Sequence, residues 1–388
     1  MVIYPCDWEV TTVDKVADIN TGRRNTQDNK PNGRYKFFVR SPIVERIDVA
    51  DYDCEAVLTA GDGNAGKVFH YVNGKFSAHQ RVYIINNFRN ISGRFFYYYF
   101  SRYFIDEVRK YTAKSTVDSV RRPMIANMLI PLPPLKEQTA IAETLATFDT
   151  HITNLTELIT KKKAIRDGAL DELMTGRTRL YGFCGDWEYR PLFSLCNELV
   201  RGPFGGSLKK EDFVMSGIKV YEQKNAIQYD YSIGTYFISP EKYNSMKRFT
   251  VSSGDFIVSC SGTIGRIYRL PIEAETGIIN QALLRISVNE KIINPSFFNY
   301  VFKANLIQSI IIDNTQGGAM KNLIGMKQFK QIIFPVPPLD EQTAIADTLS
   351  ALDKEISSLE TERAKISQIR DGAINDLLTG KVRLKIGI

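Results

Sequence analysis

The sequence lacks the features of a membrane protein or of a disulfide-rich secreted protein. No apolar run approaches the roughly 18 residues that a bilayer-spanning helix needs. The first residues, Met1 to Asp7, lack the basic and apolar regions of a secretory signal peptide. The five cysteines form no CxxC pair and their number is odd, so reduced thiols are expected. These absences predict a cytoplasmic protein without membrane contact.

Catalytic motifs of enzymes that act on DNA are also missing. The sequence contains no nuclease carboxylate cluster with its lysine, no helicase motor motif and no NPPF or DPPY tetrapeptide of a methyltransferase. The three histidines, His70, His79 and His151, are dispersed, which makes a zinc site improbable. The segment Gly61–Lys67 fits GxxxxGK, but Val68 replaces the required Ser or Thr and a strand pattern follows, so a hairpin turn is expected there. A non-catalytic chain that holds no cofactor or metal is therefore predicted.

A long internal repeat is the strongest feature that is present. Residues 131–180 begin PLPPLKEQTAIAETL and end IRDGALDELMTGRTRL, and residues 335–384 begin PVPPLDEQTAIADTL and end IRDGAINDLLTGKVRL. The offset of 204 holds without a gap over 50 residues, and about half of the positions are identical. The chain is therefore the product of a duplication.

Each copy of the repeat predicts one long helix. Prolines oppose helix formation before each block, and a glutamate follows in the first turn, where the helix dipole favours a carboxylate. Apolar residues then recur at alternating steps of four and three, which is the seam of a coiled coil. These seam residues are Ile141, Leu145, Phe148, Ile152, Leu155 and Ile159 in the first copy, and Ile345, Leu349, Leu352, Ile356 and Leu359 in the second, where the pattern resumes at Ile366. With Gly176 and Gly380 as C-terminal caps, we expect two helices of roughly 38 residues that pair antiparallel.

The segments outside the repeat are predicted to be globular. Residues 1–130 and 181–334 are rich in β-branched and aromatic residues interrupted by Gly, Asn and Asp, which indicates short strands with a few helices. They share traces of ancestry, which are Asp7-Trp8-Glu9 with Asp186-Trp187-Glu188, the turns Gly63-x-x-Gly66 and Gly262-x-x-Gly265, and Gln80 with Gln281. The predicted domains are thus residues 1–130, 131–180, 181–334 and 335–388, in an α+β fold with an internal pseudo-two-fold repeat.

The positive charge is concentrated in the diverged segments. The chain carries a net charge of +7, whereas block 131–180 is neutral and block 335–384 contributes −3, so the remainder carries +10. A basic surplus of this kind suits phosphate contacts, whereas the near-neutral helices suit protein partners. Phosphate groups are therefore the expected ligands of the globular segments.

With the repeat, the PxPPLxEQxAI and LxTGxxRL motifs and the diverged segments between them, the whole chain resembles the specificity subunits of type I restriction-modification systems. The matching positions are Pro133, Pro134, Glu137, Gln138 and Ile141, repeated at Pro337, Pro338, Glu341, Gln342 and Ile345. The resemblance implies two target recognition domains, each reading one half of a bipartite site in double-stranded DNA, with the antiparallel helices as spacer. It also implies that the helices bind two methyltransferase subunits, which in turn support restriction subunits. S-adenosylmethionine, ATP and Mg²⁺ would then belong to those partner subunits.

Ten residues are candidates for DNA contact. They are Arg23, Arg24, Arg34, Lys67 and Gln80 in the first segment, and Lys209, Lys210, Arg266, Gln281 and Lys321 in the second. The basic residues would contact the phosphate backbone, with a solvated surface as the alternative. Gln80 and Gln281 would bond adenine edges or else satisfy the backbone of a turn. The aromatic runs Phe95–Phe100 and Phe297–Phe302 could stack on bases, but a core position is favoured.

Ten further residues are candidates for partner binding or helix pairing. They are Glu137, Gln138, Ile141, Leu145 and Gly168, and their counterparts Glu341, Gln342, Ile345, Leu349 and Gly372. An interior glycine costs a helix about 1 kcal/mol relative to alanine. We therefore hypothesise a close contact between helices at Gly168 and Gly372, with an inherited kink as the alternative. The rival functions are an interaction scaffold whose globular ends bind proteins, and an enzyme with unrecognised catalytic residues.

Overall fold

The chain folds into two compact units, each of which contains one globular segment and a part of each repeated block. The first unit comprises Met1–Glu157 with Glu360–Ile388, and the second comprises Leu158–Leu359. The computed structural model describes residues 4–111, 119–204, 206–313 and 325–384. The sequence domains follow the repeat and the units follow spatial contacts, so the two divisions have different boundaries.

The globular part of the first unit is built around one mixed sheet. Its strands are β1 (Glu9–Thr12), β2 (Asp18–Thr21), β3 (Tyr35–Phe38), β4 (Glu45–Ile47), β5 (Tyr52–Ala60), β6 (Phe69–Ala78), β7 (Val82–Asn86) and β8 (Leu129–Leu132). Its helices are α1 (Val13–Val16), α2 (Gly93–Lys110) and α3 (Arg122–Ala126), with a 3₁₀ turn at Thr26–Asp28. The sheet order is β2-β7-β5-β6-β3-β4, in which β3 runs parallel to β6, and β1 pairs with β8 separately.

Both faces of this sheet are covered, which explains why residues 56–60 of β5 are all buried, whichever face they lie on. On one face, Val57 and Ile85 pack in a cluster with α2. On the other face, Leu58 and Ile84 belong to a second buried cluster. The aromatic run Phe95–Phe100 lies on α2 and all of it except the half-buried Tyr97 is buried, so the predicted core position is confirmed.

The first copy of the repeat forms a single helix, α4 (Leu135–Thr175), of 41 residues. It begins directly after the last proline of the block, because proline restricts the residue before it and cannot sit inside a helix. It ends where Gly176 adopts a positive φ of 68° and donates its N–H to the Leu173 carbonyl, which confirms the predicted cap.

The globular part of the second unit uses two larger sheets. Its strands are β9 (Glu188–Pro191), β10 (Cys196–Arg201), β11 (Phe213–Val214), β12 (Ile218–Tyr221), β13 (Phe237–Ile238), β14 (Thr250–Val251), β15 (Phe256–Ser259), β16 (Ile267–Arg269), β17 (Gly277–Ile279), β18 (Leu283–Val288) and β19 (Ile333–Val336). Its helices are α5 (Gln223–Gln228), α6 (Pro240–Ser245), α7 (Pro295–Lys303), α8 (Asn305–Asp313) and α9 (Met326–Lys330). One sheet has the order β10-β18-β15-β16 and the other β11-β13-β12-β17-β14, while β9 pairs with β19.

The core of the second unit contains an aromatic helix, α7, that is equivalent to α2 of the first unit. Phe297–Phe302 lies on α7 with its phenylalanines buried, which confirms the predicted core position of this run as well. These rings pack with Phe256 and Val258 of β15 and with Phe334 of β19. The equivalent aromatic helices α2 and α7 thus anchor each globular part.

The second copy of the repeat forms α10 (Leu339–Leu378), of 40 residues, and it pairs antiparallel with α4 inside each unit. Residue numbers rise along α4 while they fall along α10 at the contacts. In the first unit the contacts are Asp149–Arg370 at 2.8 Å and His151–Glu362 at 3.4 Å, and in the second Lys162–Glu355 at 2.7 Å and Arg166–Asp353 at 3.6 Å. The predicted antiparallel pairing is confirmed.

The seam residues are all buried or half-buried, as the periodicity predicts. The first two seam residues of each helix do more than pair the helices. Ile141 and Leu145 belong to the main core cluster of the first unit, and Ile345 and Leu349 to that of the second. The seam therefore also attaches each globular part to its helices.

The two interior glycines do not mark a close contact within the chain. Among the described residues, a Cβ added at Gly168 or Gly372 would meet no atom within 4 Å outside its own helix. Both positions are exposed. The hypothesised helix contact at these glycines is therefore wrong for the chain by itself, and each glycine leaves an open notch on a helix surface.

Candidate nucleic-acid interface

A buried glutamate at the start of α4 fastens the first unit together. Glu137 is 2% exposed and its carboxylate accepts hydrogen bonds from Trp8 Nε1 at 3.3 Å and from Arg383 Nη2 at 2.6 Å. Arg383 also bonds both oxygens of Asp7, at 2.9 and 3.0 Å. These hydrogen bonds from Arg383 hold the pKa of Asp7 below its ordinary value. We call this arrangement of glutamate, tryptophan and arginine the clasp.

The second unit has the same clasp with one difference. Glu341 is fully buried and accepts from Trp187 Nε1 at 3.1 Å and from Arg179 Nη2 at 2.6 Å. Arg179 has the Gly185 carbonyl at 2.9 Å as its additional partner, where Arg383 has a carboxylate. The charge balance of the two clasps is therefore unequal.

The glutamine beside each clasp binds the loop that precedes the aromatic helix. Gln138 Oε1 accepts from the Ser92 N–H at 2.8 Å, and its Nε2 donates to the Pro133 carbonyl at 2.8 Å. Gln342 repeats this with the Asn294 N–H and the Pro337 carbonyl, both at 2.7 Å. The structure thus places both glutamines, like the two glutamates, inside their units rather than on a surface that a partner subunit could reach.

A tyrosine, an aspartate and an arginine form a further repeated group that the sequence reasoning missed. Tyr98 donates to Asp149 at 2.7 Å, and Arg370 donates to the same carboxylate at 2.8 Å. In the second unit Tyr300 donates to Asp353 at 2.7 Å. Burial raises the pKa of Tyr98, and the bond to Asp149 raises it further, so the phenol stays protonated. Each aspartate and its arginine are identical in both copies of the repeat, which was a usable signal.

On this scaffold, a glycine turn projects from a hairpin in each unit. Gly61–Lys67 connects the antiparallel strands β5 and β6, and the turn Gly262-x-x-Gly265 connects β15 and β16. The predicted hairpin turns are confirmed. Lys67 and Arg266, which follow the second glycine, are both exposed.

A second turn presents the two candidate glutamines. A Cβ on Gly22 would lie 2.2 Å from the Ala78 carbonyl oxygen, and one on Gly202 would lie 1.8 Å from that of Asn280. Any side chain at either position would clash with that carbonyl oxygen, so only glycine permits this close approach of the two backbones. The approach fixes the position of the turns that carry Gln80 and Gln281. Both glutamine side chains are exposed and form no hydrogen bond within the described part of the chain. They are therefore not used to satisfy the turn backbone, and their amides face solvent.

The remaining candidates differ in their surroundings. Arg23, Arg34, Lys209 and Lys210 are exposed, as a backbone contact requires. Arg24 is half-buried and forms two bonds to Asp51, at 2.6 and 2.8 Å, so its role is structural. Lys321 lies outside the described residues.

The sequence reasoning also missed a cluster beside the first glycine turn. Asp62, within that turn, accepts from Arg40 at 2.7 Å and from Arg81 at 2.6 Å. Burial raises the pKa of Asp62, but the bonds from the two arginines outweigh it and hold the pKa below its ordinary value. Each arginine keeps further N–H groups for a ligand. No sequence pattern links three residues spaced so unevenly.

Both units thus expose basic and amide side chains on turns attached to the paired helices, and groups of these types suit contact with a nucleic acid. The described stretches contain no group of three or more His, Cys, Asp or Glu that could hold a metal ion. In the same stretches, no helix has the length and apolar content to cross a bilayer.

Comparison with known proteins identifies the family. The profile of the type I restriction modification DNA specificity domain matches residues 5–165 and 185–368, so the chain belongs to that family and is a DNA specificity subunit. It is 24% identical to the type I restriction enzyme MjaVIII specificity subunit of Methanocaldococcus jannaschii, over 98% of this chain and 94% of that one. The fold resembles the S subunit of M. genitalium, with a TM-score of 0.63, 18% identity and coverage of 98% and 97%. It also resembles the HsdS subunit from Thermoanaerobacter tengcongensis, with a TM-score of 0.50, 15% identity and coverage of 98% of both chains. As a specificity subunit, the chain associates with DNA and with the other subunits of its system and has no catalytic role.

Proposed function

We propose that each recognition domain, meaning residues 1–130 or 181–334, reads one half of a bipartite and asymmetric DNA site. This proposal rests on a contrast between the clasps, which attach each globular segment to its helices, and the exposed turns of those segments. Both units keep the same clasp, whereas the turns carry different groups, with Ser261 and Ala282 at the positions of Asp62 and Arg81. Equal scaffolds with unequal exposed turns suit two different half-sites.

The exposed amides and cations would divide the work of recognition. A glutamine amide can bond N6 and N7 of adenine in the major groove, and such a pair is worth about 1–3 kcal/mol of discrimination. Lys67, Arg266 and the exposed basic residues would bind phosphates, which sets register without reading sequence. Arg40 and Arg81, held by Asp62, would contact guanine edges or phosphates of the first half-site.

Separate glutamine substitutions test this division. Once methylome sequencing has defined the site, Gln80→Ala should weaken recognition of one half about tenfold, and Gln281→Ala that of the other half. The measurement is methylation, by the chain with its methyltransferase, of duplexes altered in one half at a time. Gln331→Ala, at an exposed glutamine that follows α9, is the matched control. Equal effects of both variants on the same half would contradict the proposal.

We further propose that the helices bind two methyltransferase subunits through two equivalent partner faces. One face is Ile165 with Gly168 on α4, and the other is Ile369 with Gly372 on α10. The isoleucines are 57% and 44% exposed, and each lies three residues from its glycine on the same side of the helix. The sequence Ile-Arg-Asp-Gly-Ala is identical at both faces, which suits two copies of one partner.

The remaining activities of the system would reside in the partners. Restriction subunits would bind through the methyltransferase subunits, and S-adenosylmethionine, ATP and Mg²⁺ would be bound by those subunits. Base flipping and methyl transfer would likewise occur there. We place the assembly in the cytoplasm, where it meets DNA.

A further inference from the structure

One end of the four-stranded sheet in the second unit carries both of the turns proposed above to contact DNA. Strands β10 and β15 finish at this end and β16 and β18 begin there, because neighbouring strands of the sheet are antiparallel. The turn Gly262-x-x-Gly265 joins β15 to β16, and Gln281 lies just before β18. We call this edge of the sheet the turn end. Arg201 is the last residue of β10, so it lies at the turn end as well.

Arg201 is a half-buried cation without an anionic partner. Its Nε is buried and makes no hydrogen bond, and no carboxylate of the described residues lies within ion-pair distance. Its polar neighbour is the thiol of Cys260, which is buried just after β15. Burial raises the pKa of Cys260 to about 12, so the thiol stays neutral and supplies no counter-charge. Because an unpaired charge is costly to bury, Arg201 favours an acceptor from outside the chain.

An exposed aromatic ring holds the Arg201 guanidinium in place. Arg201 Cζ lies 5.6 Å from the ring centroid of Phe204, which is a cation–π distance. The Phe204 ring is 66% exposed, and the Phe204 carbonyl accepts from the Ser207 hydroxyl at 2.8 Å. A ring contact restricts the plane of a guanidinium without using its N–H groups. The terminal N–H groups of Arg201 therefore remain available to a planar acceptor.

The first unit is built differently at the equivalent position. The pairing of β2 with β7 and of β10 with β18 makes Thr21 the counterpart of Arg201, and each precedes the glycine of close backbone approach. Thr21 is exposed, so the sheet does not require an arginine here. In the first unit Asp62 instead holds Arg40 and Arg81 beside the glycine turn. Each unit thus holds a guanidinium near its turns, by a carboxylate in the first unit and by a ring in the second.

We propose that Arg201 binds the major-groove edge of a guanine in the half-site that the second recognition domain reads. Because Nε is buried, the two terminal nitrogens would donate to guanine O6 and N7, and an arginine bidentate to these two atoms is the commonest specific contact to a base. A phosphate needs no fixed guanidinium plane, and exposed cations such as Arg266 suffice for it. Phe204 would be a positioning residue. This inference rests on the proposed DNA recognition.

The test combines substitutions in the protein with removal of one acceptor from the DNA. Arg201→Lys keeps the charge but loses the two-pronged donor. Arg190→Lys is the matched control, because Arg190 on β9 is paired with Glu188. Once methylome sequencing has defined the site, duplexes carry 7-deazaguanine, which has no N7 acceptor, at one guanine at a time. The measurement is methylation of these duplexes by each full-length chain with its methyltransferase.

One guanine position should be sensitive to both changes. For the wild type and Arg190→Lys, 7-deazaguanine at that position should lower methylation about fivefold. For Arg201→Lys it should have no further effect, because the contact is already lost. Phe204→Leu should reduce the sensitivity at that position alone, whereas Phe204→Tyr should keep it. Since the Phe204 ring is exposed, this pair decides the question if Arg201→Lys does not fold.

Two results would overturn the inference. One is equal sensitivity of the wild type and Arg201→Lys to 7-deazaguanine at every position. The other is a loss of duplex affinity in Arg201→Lys that is uniform across sequences, which is the result expected of a phosphate contact. Failure of the proposed DNA recognition is a different outcome, because base-pair changes in one half of the site would then leave methylation by the wild type unchanged.

Discussion

At the scale of single residues, the two clasps have similar contacts but are expected to contribute differently to the free energy of unfolding. Glu137 and Glu341 are both buried and both accept from a tryptophan and an arginine. A buried carboxylate is tolerated only when its charge is paired. In the first unit Arg383 is shared with Asp7, whereas in the second unit Arg179 depends on Glu341 as its carboxylate partner. Asp186 acts on Arg179 only through space, without a hydrogen bond, so the second clasp has the weaker reserve of negative charge.

This difference predicts unequal costs for the same substitution. Glu341→Gln should lower the free energy of unfolding by about 3 kcal/mol, because it leaves Arg179 without its carboxylate. Glu137→Gln should cost roughly half as much, since Arg383 keeps Asp7. Urea unfolding followed by tryptophan fluorescence measures both free-energy changes. The chain has two tryptophans, Trp8 and Trp187, and each donates a hydrogen bond to one of the two carboxylates.

The matched control is Glu143→Gln, an exposed glutamate on the same helix as Glu137. It should leave the urea midpoint unchanged. Equal destabilisation by Glu137→Gln and Glu341→Gln would show that Asp7 does not compensate in the first unit.

Residue-level prediction from the sequence reached some groups and missed others for physical reasons. Gln80 and Gln281 were found because both copies keep them before a strand, although their exposure depends on the close approach of Gly22 and Gly202. The Asp62 cluster was missed because the sheet brings together residues that are distant in sequence. Only tertiary structure contains that information.

At the scale of elements, the long helices were predictable because each has one dominant period. The seam fixes which side is buried, and proline and glycine fix where α4 and α10 begin and end. Very short strands such as β11, β13 and β14 carry no period, so their place in a sheet depends on long-range pairing. The interior glycines were misread because an interior helical glycine can equally leave space for a neighbour in another chain, and the sequence does not say which chain supplies that neighbour.

The partner faces yield a prediction that separates stability from assembly. Replacing Gly168 and Gly372 together by leucine should raise the unfolding free energy, by about 1 kcal/mol at each site, because both positions are open and glycine is a poor helix former. The same change should weaken association with the methyltransferase subunit at least tenfold, because the added side chains fill the notch. Calorimetric unfolding and analytical ultracentrifugation of the mixed subunits measure the two effects.

Alanine provides the control for this pair of substitutions. Gly168→Ala with Gly372→Ala should give a similar gain in stability, and its single methyl should leave most of the assembly intact. If the leucine variant assembles as tightly as the wild type, the two partner faces are not where the methyltransferase binds.

At the scale of the whole molecule, each unit draws on both copies of the repeat. The first unit uses the beginning of α4 with the end of α10, and the second unit uses the reverse. The clasp of the first unit joins Asp7 to Arg383, near opposite ends of the described chain, whereas the second clasp lies within a continuous segment. Neither recognition domain is therefore complete without the helix that follows the other one.

The same organisation predicts that helix length sets the unread spacer of the DNA site. The units meet along the sequence at Glu157–Leu158 in α4 and at Leu359–Glu360 in α10, so a heptad inserted at both points leaves the contacts of each unit intact. It adds about 10 Å, which should lengthen the spacer by about 3 base pairs. Methylome sequencing of cells with this variant and its methyltransferase measures the spacer. A heptad in α4 alone should abolish methylation, because α10 is then too short for the helix contacts of both units to form at once. An unchanged spacer in the double insertion would mean that something other than the helices fixes the distance between half-sites.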